Sequence, residues 1–177
     1  MKLIHSDFAF RVMTLELRVR DLLIPRRKVL KETPIKPGDH VLDCGCGPGG
    51  YIEPCAKLVG PSGKITAVDV HPLAIAAVEK IIRRLSLANV QTVRSNCATG
   101  LANDSIDVAL LYDIIHSLRD PNIILREVNR VLKPQGILSV SDHHLHYEDI
   151  VSKVTVGGYF RLSEKGRKTV SFKPVKN

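Results

Sequence analysis

Five short apolar runs, at 41–43, 65–69, 90–94, 106–111 and 137–141, punctuate the 177-residue chain, and helical patterns fill most of the gaps between them. Each run is rich in Val, Ile and Leu without strict alternation, the pattern of strands covered on both faces. Strands of that kind are joined by helices that cross the sheet in the right-handed sense. The rhythm therefore predicts an α/β chain doubly wound about a mostly parallel sheet. Two of the intervening helices carry their own punctuation. HPLAIAAVEKIIRRLSL places Pro72 at a first helical position, and DPNIILREVNRVLKPQG sets Asp120 as cap, Pro121 behind it and Gly136 beyond the end. After the fifth run the pattern changes. YFRLSEKGRKTVSFKPV alternates roughly in twos around SEKGR, which predicts a C-terminal antiparallel β-hairpin pairing 159–162 with 169–173.

Upstream, Phe8, Val12, Leu15, Val19 and Leu22 share one stripe of an amphipathic helix that Asp7 can cap and Pro25 ends. A stripe this apolar predicts burial against the sheet or against a second copy of the chain, as a homodimer through the N-terminal helix. A shorter helical piece is expected over 25–32, followed by a turn at TPIKPG. The length and the 44% hydrophobic content fit one domain over 1–177: an N-terminal helical extension at 1–37, a core at 38–142 and a hairpin region at 143–177. Four cysteines without a CxxC pair, and an N-terminus without a signal-peptide pattern, predict a reduced, cytoplasmic protein. No apolar run approaches the ~20 residues of a membrane span. The net charge of +8 admits nucleic acid or anionic metabolites as partners, although a solvated basic face is the plainer account.

The loop after the first run speaks to function. Within VLDCGCGPGG, at 41–50, GCGPGG satisfies the GxGxxG pattern of a dinucleotide loop. A dinucleotide would set its pyrophosphate on the helix N-terminus that follows. Asp43 stands immediately before that loop, and two like charges at ~4 Å repel by roughly 4 kcal/mol at an effective dielectric near 20. The same carboxylate suits a cationic ligand. The loop also lacks the GK[ST] of a phosphate-cradling NTPase.

VLDCGCGPGG closely resembles the first motif of the class I S-adenosylmethionine-dependent methyltransferases, whose donor carries a sulfonium and an ammonium beside one carboxylate. The resemblance extends from about Gly38 to Gly136, with motifs in family order, and implies a Rossmann-like sheet with S-adenosylmethionine as cofactor. It assigns the donor to Asp43, Gly45, Cys46, Gly47 and Gly49 in the first loop. Asp69 in ITAVDVHP would accept from the ribose hydroxyls, with Val70 beside it, and Asn96 and Cys97 in VRSNCATG would meet the adenine. SIDVALLYDIIHSL resembles the fourth strand of the family, with Asp113 at its mouth. His116 follows where an acceptor would meet the donor and is the candidate general base. The likeness is strongest to small-molecule methyltransferases, including quinone-biosynthesis and arsenite-type branches, so the expected partner is a small-molecule substrate. YDII lacks the Asn/Asp-Pro-Pro-aromatic motif of nucleic-acid amine methylation and the Pro-Cys of carbon-5 cytosine enzymes. A methyltransferase acting on RNA or protein and a non-catalytic donor-binding or interaction protein are the alternatives. DHHLHYED, at 142–149, crowds His and Asp, the ligand types of zinc or iron. Crowding is not coordination; the segment is read as lining the substrate mouth or solvent, and no metal is assigned.

Overall fold

The computed structural model describes residues 6–8, 10–12, 14–15, 26–96 and 98–176. From Arg26 onward the elements run α1 (Arg26–Leu30), β1 (His40–Cys44), α2 (Ile52–Val59), β2 (Lys64–Asp69), α3 (Pro72–Leu85), β3 (Val90–Arg94) and β4 (Ile106–Tyr112). They continue through a 3₁₀ turn (Ile115–Ser117), α4 (Asn122–Val131), β5 (Leu132–Ser141), α5 (Tyr147–Thr155), β6 (Phe160–Lys165) and β7 (Val170–Pro174). The seven strands lie in the order β3-β2-β1-β4-β5-β7-β6. β1 to β5 are parallel, while β7 runs antiparallel to β5 and β6 antiparallel to β7. All five predicted parallel strands are present, and the hairpin pairs as expected, Arg161 with Lys173 and Leu162 with Phe172.

The strand order reverses between β1 and β4, and the crevice outside the carboxyl ends of such strands is where open α/β sheets take their ligands. Apolar side chains alternate between two cores, one on each face. Leu42, Ala109, Leu111 and Val140 meet α4 and α5 on one side, while Val41, Ile65, Val108 and Leu110 meet α1, α2 and α3 on the other.

Local chemistry sets the helix bounds. Pro54 sits in the first turn of α2, where no intrahelical partner for its missing N–H is required, so the helix starts at Ile52. α3 has Pro72 in its first turn, and His71 Nδ1 caps it by accepting from Leu73 N at 3.2 Å. α4 corrects the expectation that it runs to Gly136. It stops at Val131, because Pro134 clashes with the carbonyl four residues before it and pushes Lys133 out of the helical region. Residues 133–136 instead bulge out of β5 between the pairs Ile106↔Leu132 and Val108↔Ile137. Gly136 thus serves a close approach rather than a cap; a Cβ there would lie 3.0 Å from the Asp107 carbonyl oxygen. Asp120 accepts from Asn122 N at 2.9 Å, one position earlier than a cap flanking the helix. α5 was not expected; its Ile150 and Val154, four apart, bury against the sheet.

Within the chain, the described part of the N-terminal stripe does not bury against the sheet, which corrects the first of its two expected placements. Residues 7–8, 10–12 and 14–15 are helical, but Phe8, Val12 and Leu15 are 77%, 42% and 63% exposed. Phe10 is buried instead, stacked on the His71 ring at 4.5 Å and 15°. The aromatic stack and the approach of Asp7 to His71, 4.0 Å away, rotate the stripe outward. Val19 and Leu22 lie outside the described residues.

Candidate functional site

β1 delivers Asp43 to the crevice one residue before its end. The side chain is buried, and its Oδ2 has no hydrogen-bond partner among the described residues. Burial pushes the carboxyl up to about 7, with Arg26 opposing the rise and Asp69 adding to it. An ionised carboxylate oxygen in that position is costly unless a donor meets it. The turn from Gly45 to Gly50 follows, anchored by Gly45 N and Cys46 N donating to the Val68 carbonyl at 2.8 and 3.0 Å. Gly47 has φ +50 and nothing within 4 Å of where a Cβ would stand, so the backbone is open there. Gly49, at φ +79, is glycine for the opposite reason: a Cβ would press to 2.9 Å from Val78 and Ile81 of α3.

Asp69, ending β2, braces this turn. Its Oδ2 accepts from Gly47 N at 2.9 Å and its Oδ1 from His71 N at 2.8 Å. Those two bonds leave lone pairs on both oxygens for further donors. Val70 follows, half-buried, and Asn96 is exposed beyond the end of β3, which is tied to β2 by Ser95 N donating to the Asp69 carbonyl at 3.0 Å. Cys97 lies outside the described residues. Burial raises the thiols of Cys46 and Cys55. The Phe10–His71 stack sets the N-terminal segment at this same end of β2.

Across the crevice, β4 and β5 end side by side, Tyr112 paired with Ser141. The sequence-predicted Asp113 and His116 both lie here, but they do not pair with each other. His116 Nδ1 is 2.8 Å from Asp142 Oδ2, which also accepts the His116 backbone N–H at 3.1 Å. Asp142 is fully covered at its side chain, whereas His116 keeps 30% exposure. A carboxylate on Nδ1–H fixes the tautomer and leaves the Nε2 lone pair free of that bond. Asp113, at φ +55, pairs with His143 Nδ1 at 2.7 Å. The His144 ring lies tilted between those of His116 and His143, with centroids 4.3 and 3.8 Å away, and desolvation and then His143 and His116 lower its pKa. Asp113, Asp142 and His143 each bring one ligand atom to within 4.8 Å of the others.

Asp142 and His143 belong to the segment read as lining the substrate mouth or solvent, but the sequence assigned neither a role. The crowding of DHHLHYED was the signal, and only the adjacency of β4 and β5 turns it into two His–Asp pairs. A cavity of about 280 Å³ opens beside them, lined also by Tyr51, Ile150 and the basic β6–β7 turn at Lys165, Arg167 and Lys168. The turn is held from below by Glu32, whose Oε2 accepts Lys168 N at 2.7 Å and Thr169 N at 3.1 Å. A larger opening of about 670 Å³ lies along α4 beside Asp104 and Lys176, away from the strand ends that carry these groups.

Comparison with known proteins gives the family and the fold. Residues 35–165 match the family described as methyltransferase domain. A demethylmenaquinone methyltransferase of Lactobacillus johnsonii is 30% identical over 139 residues, covering 77% of this chain and 57% of the relative. A 2-phytyl-1,4-naphtoquinone methyltransferase of Synechococcus elongatus is 30% identical over 128 residues, covering 71% and 55%. The chain thus spans a little over half the length of the curated relatives it matches. A crystal structure of a SAM dependent methyltransferase from Aquifex aeolicus superimposes with a TM-score of 0.82 at 26% identity, covering 93% of this chain and 97% of that one.

Proposed function

The chain belongs to the methyltransferase domain family, and from that premise we propose that it transfers the methyl group of S-adenosylmethionine to a small-molecule acceptor held at the ends of β4 and β5. The observation that carries the reading is the buried Asp43 Oδ2, without a hydrogen-bond partner among the described residues, at the foot of a glycine turn. That environment fits a ligand with a positive charge and opposes a pyrophosphate. When bound, the donor supplies an electrophilic methyl group on a sulfonium. Asp43 offers its charge to the cationic end, and the backbone of Gly45, Cys46, Gly47 and Gly49 makes room for close approach. Asp69 accepts from the ribose hydroxyls with its remaining lone pairs, and Val70 and Asn96 border the base. The Phe10 segment covers the donor from the β2 side.

On the acceptor side, His116 Nε2 takes the proton that a hydroxyl or acidic carbon must lose, and Asp142 holds the imidazole for it. Asp113 and His143 line the same wall. Most of the acceleration comes from holding the nucleophile in line with the methyl group and excluding water. The two relatives named as quinone methyltransferases support a small-molecule acceptor. The nucleic-acid partner and the homodimer through the N-terminal helix find no support in the comparisons and are not part of the proposal. The assignment of 38–142 as donor-binding core within one domain over 1–177 is retained. No helix among the described residues is long and apolar enough to cross a membrane, and the buried thiols of Cys46 and Cys55 support a reducing, cytoplasmic setting. Calorimetry with S-adenosylmethionine, its demethylated product and NAD tests the reading. The first two are expected to bind; tighter binding of NAD overturns it.

A further inference from the structure

We infer that Asp113, Asp142 and His143 form a binding site for one divalent cation of the first transition row, on the acceptor wall of the crevice. Two carboxylates and one imidazole are a mixed oxygen and nitrogen set, suited to ions such as Mn²⁺, Fe²⁺ or Zn²⁺. The three donor atoms lie within 4.8 Å of one another. Ligands ~2.1 Å from an ion stand about 3 Å apart when adjacent and about 4.2 Å apart when opposite. His143 Nδ1 and Asp113 Oδ1, at 2.7 Å, already have the spacing of an adjacent pair. The proton they share is what the ion would replace. Bringing all three onto one ion requires the widest separation, at most 4.8 Å, to close to about 4.2 Å or less.

The hydrogen bonding of Asp142 leaves room for this. A carboxylate has about four lone-pair positions. His116 N and His116 Nδ1 occupy two on Oδ2, and His144 N occupies one on Oδ1 at 3.0 Å. One position on Oδ1 remains. The same carboxylate therefore holds the candidate base and reaches the cation, so the two are placed by one fully covered side chain. Position adds an independent argument, because all three residues line the 280 Å³ cavity at the strand ends. Three protein ligands leave adjacent open positions on the ion. The acceptor class that follows has a hydroxyl beside a second oxygen, able to take two of those positions at once. Bound there, the ion would act as a Lewis acid on that hydroxyl and lower its pKa. What the ion does rests on the acceptor-side reading above; whether it binds does not.

The test is Mn²⁺ titration of the chelator-stripped full chain, read by loss of the six-line electron paramagnetic signal of aqueous Mn²⁺ and by calorimetry. One saturable ion per chain is expected, with affinity reduced at least about tenfold in His143→Ala and in Asp113→Asn. His143 is half exposed, and Asn tolerates the positive φ of position 113 as Asp does, so both variants should keep the fold. His146→Ala, an exposed histidine outside the cluster, should bind Mn²⁺ like the wild type. Absence of saturable binding, or equal weakening by His146→Ala, overturns the inference. S-adenosylmethionine calorimetry on the same samples separates the outcomes, since a chain that binds the donor but not Mn²⁺ loses the cation site alone.

Discussion

Replacing Asp43 by Asn removes one negative charge from the foot of the donor site at nearly constant shape, and the structure fixes both what is gained and what is lost. Burial raises this carboxyl from 3.8 to about 7, Arg26 acting against the rise and Asp69 with it. A folded-state value above the unfolded one means that folding favours the protonated acid. The group therefore costs nothing below about pH 4; the cost grows as pH rises toward about 7 and stays level beyond. At about 1.4 kcal/mol per pH unit, the difference comes to about 4 kcal/mol at pH 8 and about 2 kcal/mol at pH 5. Without ligand, Asp43→Asn is expected to be more stable than the wild type by up to those amounts, the new amide donors offsetting part of the gain. Urea unfolding at the two pH values measures it. Donor affinity should move the other way, falling about ten- to a hundredfold with the loss of a charged partner. Wild-type affinity for S-adenosylmethionine should also climb as pH rises through about 7, because only the ionised acid attracts a cation. A variant whose stability relative to wild type is the same at pH 5 and pH 8, with unchanged donor affinity, would refute the reasoning and mean that Asp43 is already compensated.

Asp69→Ala removes the acceptor for Gly47 N and, in the proposed site, for the ribose hydroxyls; donor affinity measured by calorimetry should drop about ten- to a hundredfold with the fold retained by circular dichroism. His116→Ala should lower turnover by roughly 10²–10⁴-fold while leaving donor affinity within about twofold, since the side chain stands on the acceptor wall. Unchanged turnover with an identified acceptor would reduce His116 to a partner of Asp142. Phe10→Ala loses the stack on His71, worth roughly 0.5–1.5 kcal/mol; a several-fold faster donor release in stopped flow is expected, and an unchanged rate would separate the N-terminal segment from the donor.

The sequence alone determined the parallel strands, the hairpin and the glycine turn with its flanking Asp43 and Asp69. Those features rest on period, on turn chemistry and on residues within a few positions of one another, all of which are local. It also placed Asp113 and His116 beyond the fourth strand, because that needs only the end of an apolar run. It did not determine their partners. Asp142 and His143 are about thirty residues away along the chain, and they meet His116 and Asp113 only because β4 and β5 are neighbours with Tyr112 opposite Ser141. Strand order and register are decided by the packing of the whole sheet. The same holds for the N-terminal stripe, where helical periodicity identified an apolar face but not which side docks. Phe10 won that choice through an aromatic surface, His71, that exists only once α3 has formed and been capped. The unpartnered oxygen of Asp43 is the clearest case. Sequence shows a carboxylate before a turn, but its burial, and the absence of a donor to Oδ2 among the described residues, are properties of the layers that close over it.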